Sequence, residues 1–245
     1  MFEKALKYSY IEQKHERYKL LRVIIILMGM LLLYNVITWY IVSTWQLQNN
    51  TMQPGLHAGD RFIVISSALP TLYAEIRQND TLPYKRGSLV LIDTNRVENE
   101  RWYMTAADSV IRFFTAQRVS IFGTDDSIFL KRLVGFPGDE ISMSNYVLRI
   151  RPAGSQYTLT EFELSDRPYH PGIPQMPPQW NNSLPLSGNM DRRVLGPNEY
   201  FIISDDRATT GDSRTWGPIS KKEIIGKPVF RYWPLKRIGR PWQQR

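Results

Sequence analysis

The residue types that could carry catalysis in this sequence of 245 residues are restricted, because cysteine is absent and histidine is scarce. Without cysteine the chain has no thiol nucleophile, no disulfide and no zinc–thiolate site. The three histidines are His15, His57 and His170, and none has neighbours in sequence that suggest a Ser-His-Asp triad. If the chain is a hydrolase, a base other than histidine should therefore activate its nucleophile.

Four short stretches concentrate hydroxyl, amine and carboxyl groups beside turn residues. A hydroxyl such as that of Thr51 is a weak nucleophile at neutral pH and needs a base within hydrogen-bond reach. A lysine can act as that base only when it is neutral, and burial among apolar groups favours the neutral form. In chain order the stretches are 49–56 (NNTMQPGL), 86–92 (RGSLVLI), 129–139 (FLKRLVGFPGD) and 204–217 (SDDRATTGDSRTWG).

The third stretch contains the candidate base. Lys131 has apolar neighbours on both sides in sequence. Alternation along a strand would place Lys131 on the opposite face from Leu130 and Arg132, so that Lys131 points inward and Arg132 outward. The residues taken alone equally suit two surface cations on an edge strand.

Other kinds of chemistry find little support in the sequence. Asp205 and Asp206 are adjacent and would face opposite ways on a strand, which argues against an aspartic dyad. We find no H-E-x-x-H motif, phosphate-binding loop or dinucleotide fingerprint, and we expect no cofactor and no metal. The net charge is +8, but the basic residues form no dense patch with interleaved aromatics, so nucleic acid is not an expected partner.

An apolar segment at residues 23–45 precedes these stretches. It contains no charged residue and is long enough, as a helix, to cross a hydrocarbon core of about 30 Å. Its length and the lack of a clear cleavage site favour a retained anchor over a cleaved signal peptide. Lysine and arginine occur repeatedly in 1–22 and are absent from 46–60, which predicts a cytoplasmic N-terminal segment (1–22), a transmembrane helix (23–45) and an extracytoplasmic domain (46–245).

The extracytoplasmic part is predicted to be mainly β. Short runs rich in Ile, Val, Phe and Tyr, bounded by turn residues, occur at 61–66, 88–93, 127–134, 199–204 and 227–233. Many short strands with turn signals between them indicate an all-β domain. Two segments are predicted to be insertions: 94–126, with a helical pattern at 108–118, and the proline-rich 165–193.

Taken together, the four stretches and the apolar segment resemble the conserved boxes of type I signal peptidases, which are membrane-anchored Ser/Lys-type leader peptidases. The resemblance extends over most of 49–232 and is weak in the two insertions. It implies a signal-peptidase-like β-rich catalytic domain at the bacterial inner membrane, with an N-terminal transmembrane helix. Its partners would be preproteins with small, Ala-x-Ala-like residues before the cleaved bond, together with membrane lipid, which residues near Met52 and Phe62 could contact.

The resemblance also implies roles for individual residues. Thr51 would be the nucleophile and Lys131 its general base. Asn49 departs from the pattern, because many bacterial members carry a small hydroxyl residue there that helps to bind the oxyanion; its side-chain amide would donate to the oxyanion instead, or Asn49 would only end the turn after the anchor. Thr210 would orient the lysine amine, Asp212 and Arg214 would support the loop around the site, and residues 135–139 would form a structural turn.

Thr51 departs from the family pattern, which has serine at this position. Threonine keeps the hydroxyl, but its extra methyl group restricts χ1 and adds bulk beside the attacked carbonyl. One interpretation is therefore a catalytically silent homologue that binds signal sequences or assists an active peptidase. The retention of Lys131 and Thr210 favours an active enzyme, either a general signal peptidase or one specialised for few substrates.

Overall fold

The protein is a β structure preceded by one long helix. The computed structural model describes residues 10–40, 42–67, 84–94, 127–175 and 188–241. The helices are α1 (Tyr10–Tyr40), α2 (Glu161–Leu164) and α3 (Ser213–Trp216). The strands are β1 (Val42–Gln46), β2 (Arg61–Ser66), β3 (Ser88–Asp93), β4 (Ile128–Gly135), β5 (Glu140–Ser144), β6 (Val147–Arg151), β7 (Leu159–Thr160), β8 (Met190–Val194), β9 (Glu199–Ile203), β10 (Ile219–Ser220) and β11 (Ile224–Trp233).

The strands form two antiparallel sheets. The larger sheet has seven strands in the order β1-β2-β11-β3-β4-β9-β10, and the smaller has four in the order β7-β6-β5-β8. β11 comes last in sequence yet lies between β2 and β3, so the end of the chain joins the first hairpin to the centre of the sheet. The prediction of a mainly β domain is confirmed, and each of the predicted strands is found with its ends shifted by no more than a few residues.

The central strands are buried on both faces. On one face Leu89 and Leu91 of β3 pack with Met52 and Phe62, and on the other Val90 and Ile92 pack with a second apolar cluster. A strand covered on both sides reads as a continuous apolar run, as β3 does. Charged side chains on β4, the next strand, are therefore placed in the interior.

The N-terminal helix is shorter at its C-terminal end than the sequence pattern predicts. α1 ends at Tyr40, and Val42–Gln46 forms β1, which pairs with β2. Trp45, predicted to lie in the membrane, is 7% exposed and packs in the core with Phe62. Within the part of the chain that the structure describes, no helix combines the length and the apolar character needed to cross a bilayer.

Two further expectations concern lipid contact and the insertions. Met52 and Phe62 are themselves fully buried in the protein core, and lipid contact by residues near them stays a prediction. The helical pattern at 108–118 lies outside the described residues, as do most of the first predicted insertion and the centre of the second.

Candidate functional site

The Lys131 amine lies in the interior of the larger sheet. β4 runs between β3 and β9, and the Lys131 side chain has no exposed surface. Its Nζ donates a hydrogen bond to Ser204 Oγ at 2.8 Å. The rings of Phe129 and Trp216 lie close by, with their centroids 5.9 and 5.7 Å from Nζ. The amine therefore has one hydroxyl partner and largely apolar surroundings.

These surroundings lower the pKa of Lys131 to about 8 from its usual 10.5. Burial is the largest cause, because it disfavours the charged ammonium. The negative charge of Asp212 opposes the shift, the positive charge of Arg214 adds to it, and Asp205 opposes it. A substantial neutral fraction of Lys131 therefore exists near pH 8, as a general base requires.

Asp212 fixes the segment that follows β9. One carboxylate oxygen accepts the backbone N–H of Ser204 at 2.9 Å, and the carboxylate pairs with Arg214, with Arg214 Nε to Oδ1 at 2.9 Å. Asp212 also caps α3 by accepting the N–H of Arg214. Although burial raises the pKa of Asp212, its hydrogen bonds to Arg214 and the charge of that residue hold it below its usual value. The structure thus brings Asp212 and Arg214 together and ties them to the hydroxyl residue beside Lys131.

Thr51 lies on the loop between β1 and β2. Its hydroxyl donates to Asn49 Oδ1 at 2.7 Å, and its backbone N–H lies 3.4 Å from the same oxygen. The Thr51 carbonyl accepts the N–H of Asp206 at 3.0 Å. The fully buried Met52 side chain holds the loop against the core.

Thr51 and Lys131 each form a hydrogen bond with the segment that follows β9, and the two residues that they bind are two positions apart. Ser204 holds the amine and Asp206 holds the threonine carbonyl, and two residues of extended chain span about 7 Å. Thr51 and Lys131 are both among the described residues, and no hydrogen bond joins them directly. Catalytic hydrogen bonds in enzymes without substrate are often longer and tighten on binding.

Asn49 offers different groups to Thr51 and to a ligand. Its amide oxygen accepts from Thr51, while its amide nitrogen makes no hydrogen bond with any residue that the structure describes. An oxyanion needs a donor, and the nitrogen is the half of the side chain able to provide one.

Two residues are placed differently from the sequence-based interpretation. Thr210 is exposed, and the amine it was predicted to orient is held by Ser204. Arg132, predicted to point outward, is 4% exposed and pairs with the buried Asp205, with Nε 2.6 Å from Oδ1. The reason is the position of β4, which has protein on both faces, so that neither alternating side chain reaches solvent.

The neighbouring carboxylates have separate partners. Asp205 binds Arg132, and Asp206 Oδ1 accepts the N–H of Ala208 at 3.0 Å, so the two acids are not hydrogen-bonded to each other. In the described ranges, no group of three or more His, Cys, Asp or Glu side chains is arranged to hold a metal ion.

The turn after β4 has the structural role predicted for it. Asp139 accepts the N–H of Phe136 and pairs with Arg86 through two hydrogen bonds, and Gly138 has a φ of +80° that suits glycine. Asp60, which directly precedes β2, is buried and pairs with Arg231 of β11 at 3.2 Å.

The fold and site define a β-rich protein that buries a lysine amine beside a hydroxyl-bearing loop. A family model described as "Signal peptidase, peptidase S26" matches residues 19–233, and the chain belongs to this family.

Two groups of relatives illustrate the similarity. "Signal peptidase IB" of Staphylococcus aureus, from strain Mu50 and also from strain N315, is 28% identical over 112 residues, or 45% of this chain and 56% of the relative. "Signal peptidase I" of Bacillus caldolyticus is 22% identical over 202 residues, or 82% of this chain and 84% of the relative. The chain thus spans little more than half the length of the Staphylococcus relatives it matches.

Proposed function

We propose that this protein is an endopeptidase that removes signal peptides from exported preproteins, with Thr51 as nucleophile and Lys131 as general base. The observation that carries the proposal is the buried Lys131 amine, whose pKa is lowered to about 8 and which is bound by the same segment after β9 that binds the Thr51 loop. Membership of the signal peptidase family and the names of the relatives support the choice of substrate.

The proposed reaction uses one proton carrier throughout. The Thr51 hydroxyl turns from Asn49 toward Lys131, gives its proton to the neutral amine, and its oxygen attacks the carbonyl carbon of the scissile bond. The Asn49 side-chain N–H and the Thr51 backbone N–H donate to the oxyanion that forms. Lys131 then protonates the departing amine, and the signal peptide remains as an ester on Thr51. Water attacks the ester carbonyl carbon as it gives a proton to Lys131, and Lys131 then gives this proton to the departing Thr51 oxygen, which restores both the hydroxyl and the neutral amine.

Ser204, and not Thr210, is proposed as the residue that positions the amine. The Ser204 hydroxyl is the hydrogen-bond partner of Nζ, and its backbone is held by Asp212. The Ser204 oxygen can accept from the ammonium and can donate to the neutral amine, so it serves both protonation states of Lys131.

The apolar segment supports a location at the bacterial inner membrane. Residues 23–40 are uncharged and belong to α1, and basic residues precede them. We place the N-terminus in the cytoplasm and the β domain outside it, so that Thr51, which follows α1 after one strand, lies near the lipid surface where preproteins emerge.

The test is cleavage of a preprotein with an Ala-x-Ala site by the purified, detergent-solubilised protein beside Thr51→Ala and Thr51→Ser. We expect the native protein to cleave and Thr51→Ala to be inactive. Lys131→Ala should also be inactive while it keeps its circular dichroism spectrum. If the native protein is inactive and Thr51→Ser cleaves, the chain is instead a silent homologue with an intact scaffold.

A further inference from the structure

A charged cavity opens on the face of β4 that Lys131 does not use. Arg132 contributes to its wall, whereas Lys131, the next residue on the strand, does not. The charged lining is Arg86, Arg132, Asp166, Arg167 and Lys227, so cations outnumber carboxylates there. None of the residues assigned above to nucleophile, base or oxyanion contact belongs to this lining.

The carboxylates of this region are already paired with particular cations. Asp139 binds Arg86 with an Nη2–Oδ1 distance of 2.7 Å, and Asp205 binds Arg132 with an Nε–Oδ1 distance of 2.6 Å. Asp166 accepts from the exposed Lys85 at 2.7 Å. The cavity is thus lined by fixed guanidinium groups whose partners lie in the protein.

Lys227 differs from these cations. It lies on β11 and is partly buried, and its side-chain amine makes no hydrogen bond or ion pair with any residue in the described part of the chain. Burial is the main cause that lowers the pKa of Lys227, and the positive charges of Arg167 and Lys85 lower it further against the opposing effect of Asp166. A bound anion would relieve this repulsion between like charges.

The register of the strands relates Lys227 to the end of α1. Lys227 pairs with Ile65 on β2, and Ile65 pairs with Val42, the first residue of β1. Two strand spacings correspond to about 10 Å. Lys227 therefore lies on the row of residues that starts where the chain leaves α1.

We propose that this cavity binds a phosphate group, and that an anionic lipid headgroup supplies it when the protein is in a membrane. A lysine ammonium binds phosphate as a point charge, and neighbouring guanidinium groups add directed donors. The proposal that a lipid supplies the phosphate rests on the proposed function, because it requires that α1 anchors the protein in a membrane. Binding of phosphate itself does not depend on the peptidase reaction.

The first arm measures the thermal unfolding midpoint of the full chain in non-ionic detergent, with sodium phosphate or sodium chloride at equal ionic strength. A ligand that binds only the folded state raises this midpoint in a saturable way. Phosphate should do so for the native protein, for Lys131→Ala and for the control Lys222→Ala, which removes an exposed lysine from the turn before β11. Lys227→Ala should bind at least ten times more weakly, and Lys227→Arg should restore binding.

The second arm compares nanodiscs of phosphatidylglycerol with nanodiscs of phosphatidylcholine. The midpoint should be higher in phosphatidylglycerol for the native protein and for Lys222→Ala, and this difference should disappear in Lys227→Ala. Stabilisation by soluble phosphate without this lipid difference would overturn the headgroup as source. Equal effects of phosphate and chloride, or equal responses of Lys227→Ala and Lys222→Ala, would overturn the site itself. Because Lys131→Ala is included, failure of the peptidase assignment leaves this result unaffected.

Discussion

In the proposed mechanism, the chemistry of this site depends on the charge state of the Lys131 amine. Lys131 is enclosed by two aromatic rings and a strand on each side, while Asp212 nearby stays ionised because Arg214 pairs with it. Burial lowers the pKa of Lys131 and the negative charge of Asp212 raises it, and burial is the larger effect. The site therefore favours a neutral amine on Lys131 close to a negatively charged carboxylate on Asp212.

The pH dependence of cleavage should report this amine. With a pKa of about 8, Lys131 is mostly protonated and inactive as a base at lower pH. We expect kcat/KM to rise about tenfold per pH unit below this value and to level off above it, because kcat/KM reports the free enzyme. The measurement is kcat/KM on an Ala-x-Ala substrate from pH 6 to 10. A break near 10, the value of an ordinary lysine, would contradict the role of burial.

The choice between Ser204 and Thr210 is tested by removing each hydroxyl. Ser204→Ala removes the partner of Nζ, and misplacement of a catalytic group by about 1 Å costs on the order of a hundredfold in rate. We expect a loss of that size in kcat with little change in KM, and a displaced ascending limb of the pH profile. Thr210→Ala, a matched change at an exposed threonine, should stay within a few-fold of the native rate. The reverse order of effects would return the orienting role to Thr210.

The same amine should lower the stability of the folded protein at neutral pH. An unfolded lysine binds its proton up to about pH 10.5 and the folded Lys131 only up to about 8, so between these values the unfolded state binds more protons and stability rises with pH. At about 1.4 kcal/mol per pKa unit, Lys131→Met should stabilise by roughly 3 kcal/mol at pH 7, and the gain should shrink between pH 8 and 10.5. Chemical unfolding at several pH values tests this, with the exposed Lys222→Met as control. A gain that does not depend on pH would show that packing alone causes it.

At the scale of elements, the segment after β9 organises the site. Its residues hold the amine, dock the Thr51 carbonyl and bind Arg132, and Asp212 fixes the start of the segment. The sequence predicted the strand but not these partners. Ser204 and Thr210 are both hydroxyl residues near the same turn, and only the register of β9 against β4 decides which one meets Lys131. The prediction that Arg132 points outward was wrong for a similar reason. The alternation of side chains shows which residues share a face of the strand, but not whether other parts of the protein cover both faces.

The Arg132–Asp205 pair should be the most sensitive ion pair of this region. Both side chains are buried, and loss of one partner leaves an uncompensated charge that costs about 3–5 kcal/mol. Asp205→Ala should therefore destabilise by that amount. Asp166→Ala removes a carboxylate paired with the exposed Lys85 and should cost far less, because solvent screens an exposed ion pair. Urea unfolding of the two variants makes the comparison, and equal losses would contradict the burial argument.

At the scale of the whole molecule, the sequence predicted the larger sheet better than the smaller one. Strands β2, β3 and β4 carry apolar runs because each has a neighbouring strand on both sides and packs against the core. β8 reads MDRRV and is mostly exposed, and β6 alternates arginine with apolar residues, so neither has the composition of a buried strand. Their pairing depends on contacts with Phe201 and Val134 in the core between the sheets, which sequence patterns do not show.

The junction between helix and sheet leads to a prediction for the whole chain. A variant lacking residues 1–40 loses α1 but keeps β1, so the larger sheet and the buried Trp45 are retained. A variant lacking residues 1–46, which removes the segment predicted from hydropathy as the anchor, also loses β1 and leaves the β2 edge and the Phe62 side of the core uncovered. Removal of a buried tryptophan alone typically costs about 3–5 kcal/mol.

We therefore expect the two truncated proteins to differ in thermal unfolding midpoint by about 10 °C or more, since 1 kcal/mol corresponds to roughly 2–4 °C in a protein of this size. The variant lacking 1–40 should keep the near-ultraviolet circular dichroism of the full chain and cleave a short soluble Ala-x-Ala peptide. The variant lacking 1–46 should expose an unpaired strand edge and aggregate more readily. Equal midpoints would mean that β1 contributes little to the stability of the fold.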